Sequence, residues 1–259
     1  MECKNCQRKL RTDYGFCPAC GAKVIRNRLT VKNLWYDAIE RYFNLDNTFI
    51  KTFLHLFTQP QTVIEGYIHG IRRKYLNPIS YMGIAITLSG FLVLLMRKNG
   101  ASMDMDVWGT GTSSVAQGKV MDRILDFQGL LFILYIPMMA IAAWLCFQNK
   151  KHNFSERMVI FMYTMAHYSL IIFVPSVIIL AFSPSSYVIF SLFSLLFMYL
   201  YSAYVIKKIA QERGLELWPK VLVFWIVFTI FYMSLSIILP IILLLTGDIQ
   251  LEDFLPKKT

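Results

Sequence analysis

Cys3, Cys6, Cys17 and Cys20 form two Cys-x-x-Cys pairs with ten residues between them. Two such knuckles offer an ion four soft thiolates in the tetrahedral array that zinc prefers. The two residues inside each knuckle let both sulfurs face one ion. Four sulfurs fill every coordination position, so Zn2+ there holds the chain together and activates no water. A unit of about twenty residues needs such a staple, because it has almost no core. Tyr14 and Phe16 are placed to cover the site, and Gly21 to take a left-handed turn past the second knuckle. A thioredoxin-type site would have one such motif in a βαβ context, which this chain lacks. Disulfides are disfavoured if this end faces a reducing cytosol. Cys146 falls in an apolar run and reads as a small packing residue.

Two further groups carry chemistry. Glu65 and His69 stand one helical turn apart, followed by Arg72 and Arg73. They offer a contact for a lipid headgroup or a protein partner, or a basic anchor that sets topology. His167 lies deep in an apolar run beside Thr164, Tyr168 and Ser169. An ionisable group inside a membrane span is a functional candidate by default, set against a neutral histidine bonded to a neighbouring helix. Asp122 and Asp126 share one face of a short helix that is either solvated or open to a divalent cation. Gly109 to Ser114 is glycine-spaced, but no Lys-Ser/Thr pair follows, so it reads as a flexible loop. No serine–histidine, His-Glu-x-x-His or kinase-type signature is present.

The elements that position these groups follow from composition. The 259 residues are 56% hydrophobic and only 16% charged, against about 25% charged for soluble domains, so lipid solvates much of the chain. The net charge of +10 would suggest nucleic acid in a soluble protein. Here the cations flank apolar runs, which disfavours that partner. No signal peptide precedes the first apolar run. Five spans are expected, at 79–96, 128–147, 158–182, 185–206 and 221–246, none with Asp, Glu, Lys or Arg inside. The absence of carboxylates argues against a proton or cation transporter. Pro137, Pro175 and Pro240 each fall within a span and can kink it. Ser183-Pro184-Ser185 makes the third and fourth spans antiparallel neighbours.

Basic loops alternate along the chain: Arg72 to Lys74, Lys150 to Arg157, and Lys207 to Lys220. The positive-inside rule then places the N-terminus in the cytoplasm and the C-terminus outside, or inside if one span is re-entrant. Arg97 and Lys98 at the far end of the first span conflict mildly. Ahead of the spans, Val31 to Phe43 recurs at helical spacing, a second helix starts at Asn47 or Thr48, and a third starts at Pro60. Val63, Ile64, Tyr67, Ile68 and Ile71 form its apolar side, suited to a membrane surface. Asn77-Pro78 ends it.

Tyr14 to Lys23 resembles half of a bacterial zinc ribbon. Thr52, Leu56, Pro60, Gly70, Arg72 or Arg73, Tyr75 and Pro78 resemble the threonine–leucine–proline and glycine–arginine–tyrosine–proline stretches of bacterial membrane proteins classed as domain of unknown function 3667. That resemblance implies an N-terminal cysteine module ahead of several spans, and no activity. The expectation is an all-α polytopic membrane protein. It has a zinc ribbon at 1–27, amphipathic interfacial helices at 28–77, a transmembrane bundle at 78–247 and a tail at 248–259. In a bacterial inner membrane it would present the ribbon and helices to a protein partner or anionic lipid. The alternatives are a small-molecule or lipid transporter lined by His167, and, last, a lipid-modifying enzyme at Glu65, His69, Arg72 and Arg73. The oligomeric state is not encoded legibly.

Overall fold

A computed structural model describes residues 2–3, 5–21, 24, 48–99, 115–147, 152–210, 214–248 and 250. The helix expected over 31–43, the glycine-spaced loop, and Lys150 and Lys151 lie outside them. The chain divides into two units, Met1–Asp46 and Asn47–Thr259.

The first unit is built of turns. Glu2 and Lys9 form an antiparallel bridge. Its small core is Cys3, Leu10 and Cys17, with Tyr14 and Val24 packed against them. Tyr14 covers the site as its sequence suggests. Phe16 does not: it is 52% exposed, and Leu10 takes the covering role.

The second unit is all helix among the described residues. Helix α1 (Thr48–Thr58) buries Thr52 and Leu56. Helix α2 (Pro60–Ile68) starts on proline, whose missing N–H is no loss in a first turn. It ends on Gly70 at φ +93°, with Gly70 N–H donating to the Tyr67 carbonyl and Ile71 N–H to Gly66. These paired bonds satisfy the last carbonyls and need a left-handed residue. Ile71 therefore falls beyond the helix and is exposed, leaving the apolar side expected of it.

Helix α3 (Pro78–Asn99) is capped by Asn77, whose Oδ1 accepts from Ser80 N–H at 2.8 Å. Helix α4 (Val115–Asp126) is short and amphipathic. Then come α5 (Gln128–Cys146), α6 (Phe154–Phe182), α7 (Tyr187–Ile209) and α8 (Leu217–Thr246). Asn153 and Glu156 close a reciprocal capping box at the start of α6. A single 3-10 turn, Pro184–Ser186, joins α6 to α7. Helices α3, α5, α6, α7 and α8 are long and apolar enough to cross a membrane, five in all among the described residues. The protein is a multi-pass helical membrane protein. Pro137, Pro175 and Pro240 lie inside α5, α6 and α8, and each helix continues past its proline.

Helix α6 is the hub, packed on α2, α3, α5 and α7, while α8 rests mainly on α5. The up-down order gathers Arg72 to Lys74, Lys207, Lys208 and Lys220 at one end of the bundle, the basic end. At the opposite end Arg97 pairs with Asp126, and Arg123 bridges Asp126 at 3.7 Å and Asp248 at 3.1 Å. Two cations and two anions cancel there. Arg97 is thus paired, and Asp126 is engaged by arginine.

One expectation about the spans is corrected. Helix α6 begins at Phe154 rather than 158, so Glu156 and Arg157 are helical. Arg157 is a buried cation, only 6% exposed. Its guanidinium donates to the carbonyls of Ala143 at 2.9 Å, Phe147 at 2.6 Å and His152 at 3.3 Å. It closes the C-terminal end of α5, adding a charged donor to Ala143, whose carbonyl also accepts from Phe147 N–H at 2.8 Å, and supplying one to Phe147. Charge spacing alone reads it as a loop cation.

Candidate metal centre and interfacial site

In the first unit the turns bring four sulfurs together. Cys3 and Cys20 Sγ lie 3.7 Å apart, and Cys6 and Cys17 Sγ 3.6 Å apart. All four fall within 4.8 Å of one another. Thiolates about 2.3 Å from one ion, set tetrahedrally, stand about 3.8 Å apart. The cluster can hold a metal ion. Cys3 and Cys17 are buried, Cys6 and Cys20 exposed.

Each knuckle repeats one local geometry. Gln7 N–H donates to the Cys3 carbonyl, and Gly21 N–H to the Cys17 carbonyl, both at 2.8 Å. The residue after each second cysteine is left-handed: Gln7 at φ 60° and Gly21 at φ 71°. Backbone N–H groups of Cys20 and then Ala19 hold the Cys17 thiol below its ordinary range. Cys6 differs. The Arg8 N–H pulls its thiol down, but the Cys20 thiol, desolvation and the other two thiols push it up to about 12. Four thiols crowded together share protons unevenly, and a cation that displaces those protons relieves the crowding.

A side chain at Gly21 meets nothing within 4 Å, so its cost there is conformational. Gly21→Val is expected to weaken metal binding about tenfold, from a left-handed penalty of about 1–2 kcal/mol. Gln7→Gly should leave binding unchanged or slightly tighter. A competitive chelator titration of the full chain checks both.

In the second unit α1 lies across the basic end of the bundle. Phe49 meets Tyr81 of α3, and Phe53 and Phe57 meet His167 of α6, at ring-centroid distances of 5.8, 4.9 and 4.6 Å. Tyr201 donates to the Leu56 carbonyl at 3.0 Å, and Tyr204 to that of Phe57 at 2.7 Å. Tyrosine hydroxyls of α7 thus satisfy the last carbonyls of α1. From the other side, Thr52 Oγ1 accepts from Leu76 N–H at 2.9 Å, and His55 Nδ1 meets the Tyr75 hydroxyl at 2.7 Å.

His167 sits at the centre of this crossing, 0% exposed. Its Nδ1 is 2.8 Å from the Tyr81 hydroxyl, and Nε2 is buried with no hydrogen-bond partner among the described residues. Around it stand Phe53, Phe57, Tyr81 and Tyr201. It ties α1, α3, α6 and α7 together. Tyr81→Phe is expected to lower stability by about 1–3 kcal/mol, since it leaves a buried ring nitrogen unpaired. The double variant Tyr81→Phe/His167→Phe should recover part of that loss, because both polar partners are removed. Thermal unfolding in detergent reads both.

The four residues grouped at the interface separate. Glu65 turns to the start of α6, with Oε1 3.4 Å from His152 Nε2. His69 Nδ1 is 2.7 Å from the Glu65 carbonyl and 3.8 Å from its carboxylate. Arg72 lies over the Tyr67 ring at 5.7 Å. Arg72, Arg73 and Lys74, with Gly70 and Ile71, line an open depression of about 650 Å³. Lys51 and Lys74 both sit over Tyr75, at 5.9 and 5.4 Å from its centroid. Lys51 and Tyr75 are the members that spacing does not reveal, because 24 residues of chain separate them.

A cysteine cluster able to hold a metal, in one chain with five membrane-length apolar helices, defines a class of metal-competent polytopic membrane protein. Residues 46–90 match the family described as Protein of unknown function (DUF3667). The match spans α1, α2, the Gly70–Lys74 turn and the first half of α3. No curated protein and no solved structure matches the chain.

Proposed function

We propose that this is a non-enzymatic protein of a bacterial inner membrane. Cys3, Cys6, Cys17 and Cys20 hold a structural Zn2+ on the cytoplasmic side. Helices α1 and α2, at the same side, form an interfacial platform for an anionic lipid or a protein partner. The observation that carries this reading is the closed all-sulfur cluster, within 4.8 Å, which leaves no ligand position for a substrate. The gathering of basic residues at the end where α1 and α2 pack supports the sidedness. The buried, ring-enclosed His167 supports a packing role for that residue.

The test uses the full chain. Metal analysis of protein purified in detergent should give one zinc per chain, and reporter fusions at the N-terminus should report the cytoplasm. Photo-crosslinking from Lys9 in intact membranes should give a discrete adduct, lost in Cys17→Ser. A metal-free chain with oxidised front cysteines, or an N-terminus in the periplasm, overturns the reading. So does an adduct indifferent to Cys17→Ser.

A further inference from the structure

We propose that Lys51 and Lys74, which share the Tyr75 ring, together with Arg72, which lines one depression with Lys74, bind the phosphate of an anionic membrane phospholipid. This deepens the lipid arm of the proposed function, and it moves the site away from Glu65 and His69.

Positive-inside placement explains why cations are present at this end, but not why two of them converge on one ring. Lys51 comes from α1 and Lys74 from the turn before α3, and both ammonium groups lie within 6 Å of the Tyr75 centroid. The ring draws in each cation through its electron-rich face. It neutralises neither. Among the described residues no carboxylate pairs with Lys51, Arg72 or Lys74. Glu65, the acidic residue nearest Arg72 and Lys74 in sequence, is directed to His69 and His152. Lys51 and Lys74 each keep a positive charge on the same ring, and an anion beside that ring is attracted by both.

The backbone holds the arrangement open. Gly70, left-handed at φ +93°, folds the chain sharply so that Arg72, Arg73 and Lys74 line one depression. Tyr75 is 5% exposed and fixed by its bond to His55. It is a rigid floor for the two lysines.

The occupant is set by what lies beside the cations. On α1, Ile50 and Leu54 flank Lys51 and are 57% and 55% exposed, and Phe57 and Ile71 are exposed as well. A soluble phosphate ester has no use for that apolar edge. A phospholipid places its phosphate at the cations and the upper part of its acyl chains along Ile50 and Leu54. A helix with a basic rim and an apolar edge lies at that depth in a bilayer.

The experiment is native mass spectrometry of the full chain in detergent, titrated separately with phosphatidylglycerol, phosphatidylcholine and glycerol phosphate. Phosphatidylglycerol should bind at least about tenfold more tightly than phosphatidylcholine. Lys51→Ala/Lys74→Ala should weaken phosphatidylglycerol about thirtyfold, each cation near an anionic headgroup contributing roughly fivefold. It should leave phosphatidylcholine unchanged. Lys51→Arg/Lys74→Arg should keep the selectivity, and Lys98→Ala, at the opposite end, should have no effect. Leu54→Asn should weaken both lipids and leave glycerol phosphate unaffected. Equal binding of the two lipids overturns the proposal, as does a double alanine variant that binds like the wild type. Glycerol phosphate binding as tightly as the lipid overturns it in favour of a soluble phosphate ester. None of these outcomes depends on zinc content or N-terminal sidedness, so failure here is distinguishable from failure of the proposed function.

Discussion

Cys17→Ser is expected to remove zinc from the purified full-length protein, from about one ion per chain to a trace, with affinity reduced at least a hundredfold. Cys17 is 2% exposed and belongs to the core that the first unit is built around. Serine keeps the shape but replaces a soft thiolate with a hydroxyl that stays protonated. Backbone N–H groups of Cys20 and Ala19 already favour the thiolate form of this sulfur. Metal affinity should also fall as pH falls. Each thiol must lose its proton to bind, and Cys6, pushed up to about 12 without metal, releases one when the ion enters. Zinc addition near neutral pH should therefore acidify a weakly buffered sample. A wild-type protein that binds zinc with no proton release, or a serine variant that retains it, would contradict the cluster. Chelation should abolish the protection of residues 2–24 from proteolysis while leaving the helical signal of the bundle unchanged.

The second large effect concerns Arg157. Arg157→Met is expected to destabilise the bundle by about 2–5 kcal/mol, since two buried carbonyls each lose a charged donor at about 1–3 kcal/mol. Methionine fills a similar volume, so the loss reports hydrogen bonding rather than a cavity. Thermal unfolding in detergent should shift downward on the order of 10 °C. Arg157→Lys should recover only part. One ammonium cannot serve the carbonyls of Ala143, Phe147 and His152 at once as a planar fork does. An unchanged midpoint for Arg157→Met would show that these carbonyls are solvated instead.

Much of this architecture is legible in the order of residue types. Two Cys-x-x-Cys pairs are local signals, and spacing alone fixes which sulfurs can meet. Apolar runs of membrane length are equally local, so five spans follow from composition. What spacing does not carry is contact across the chain. Arg157 looks like any loop cation until α5 ends beside it. Phe16 looks like a lid until the turns place Leu10 there. Glu65 and His69 share a helical turn, yet the carboxylate reaches His152 as well. His167 shows its depth in the sequence, but not its aromatic surroundings, which come from three other helices.

The positions that carry the family resemblance acquire physical roles in the same way. Thr52 fastens α1 to Leu76, Leu56 is buried beneath it, and Pro60 opens α2. Gly70 makes the left-handed turn, Tyr75 bonds His55, and Pro78 begins α3. Together they seat one helix across the bundle's basic end. The matched segment is thus the fastening of α1 and α2, a structural unit with a definite surface.

The chain of Arg97, Asp126, Arg123 and Asp248 has a bearing on biogenesis. Its first member ends the earliest span and its last follows the latest, so the circuit closes only after every helix has been threaded. Arg97, Asp126 and Arg123 meet once α3 and α4 are in place, whereas the Arg123–Asp248 bridge waits for the final segment. Completion of the insertion sequence is thereby marked by one bridge, which tethers α4 to the end of α8.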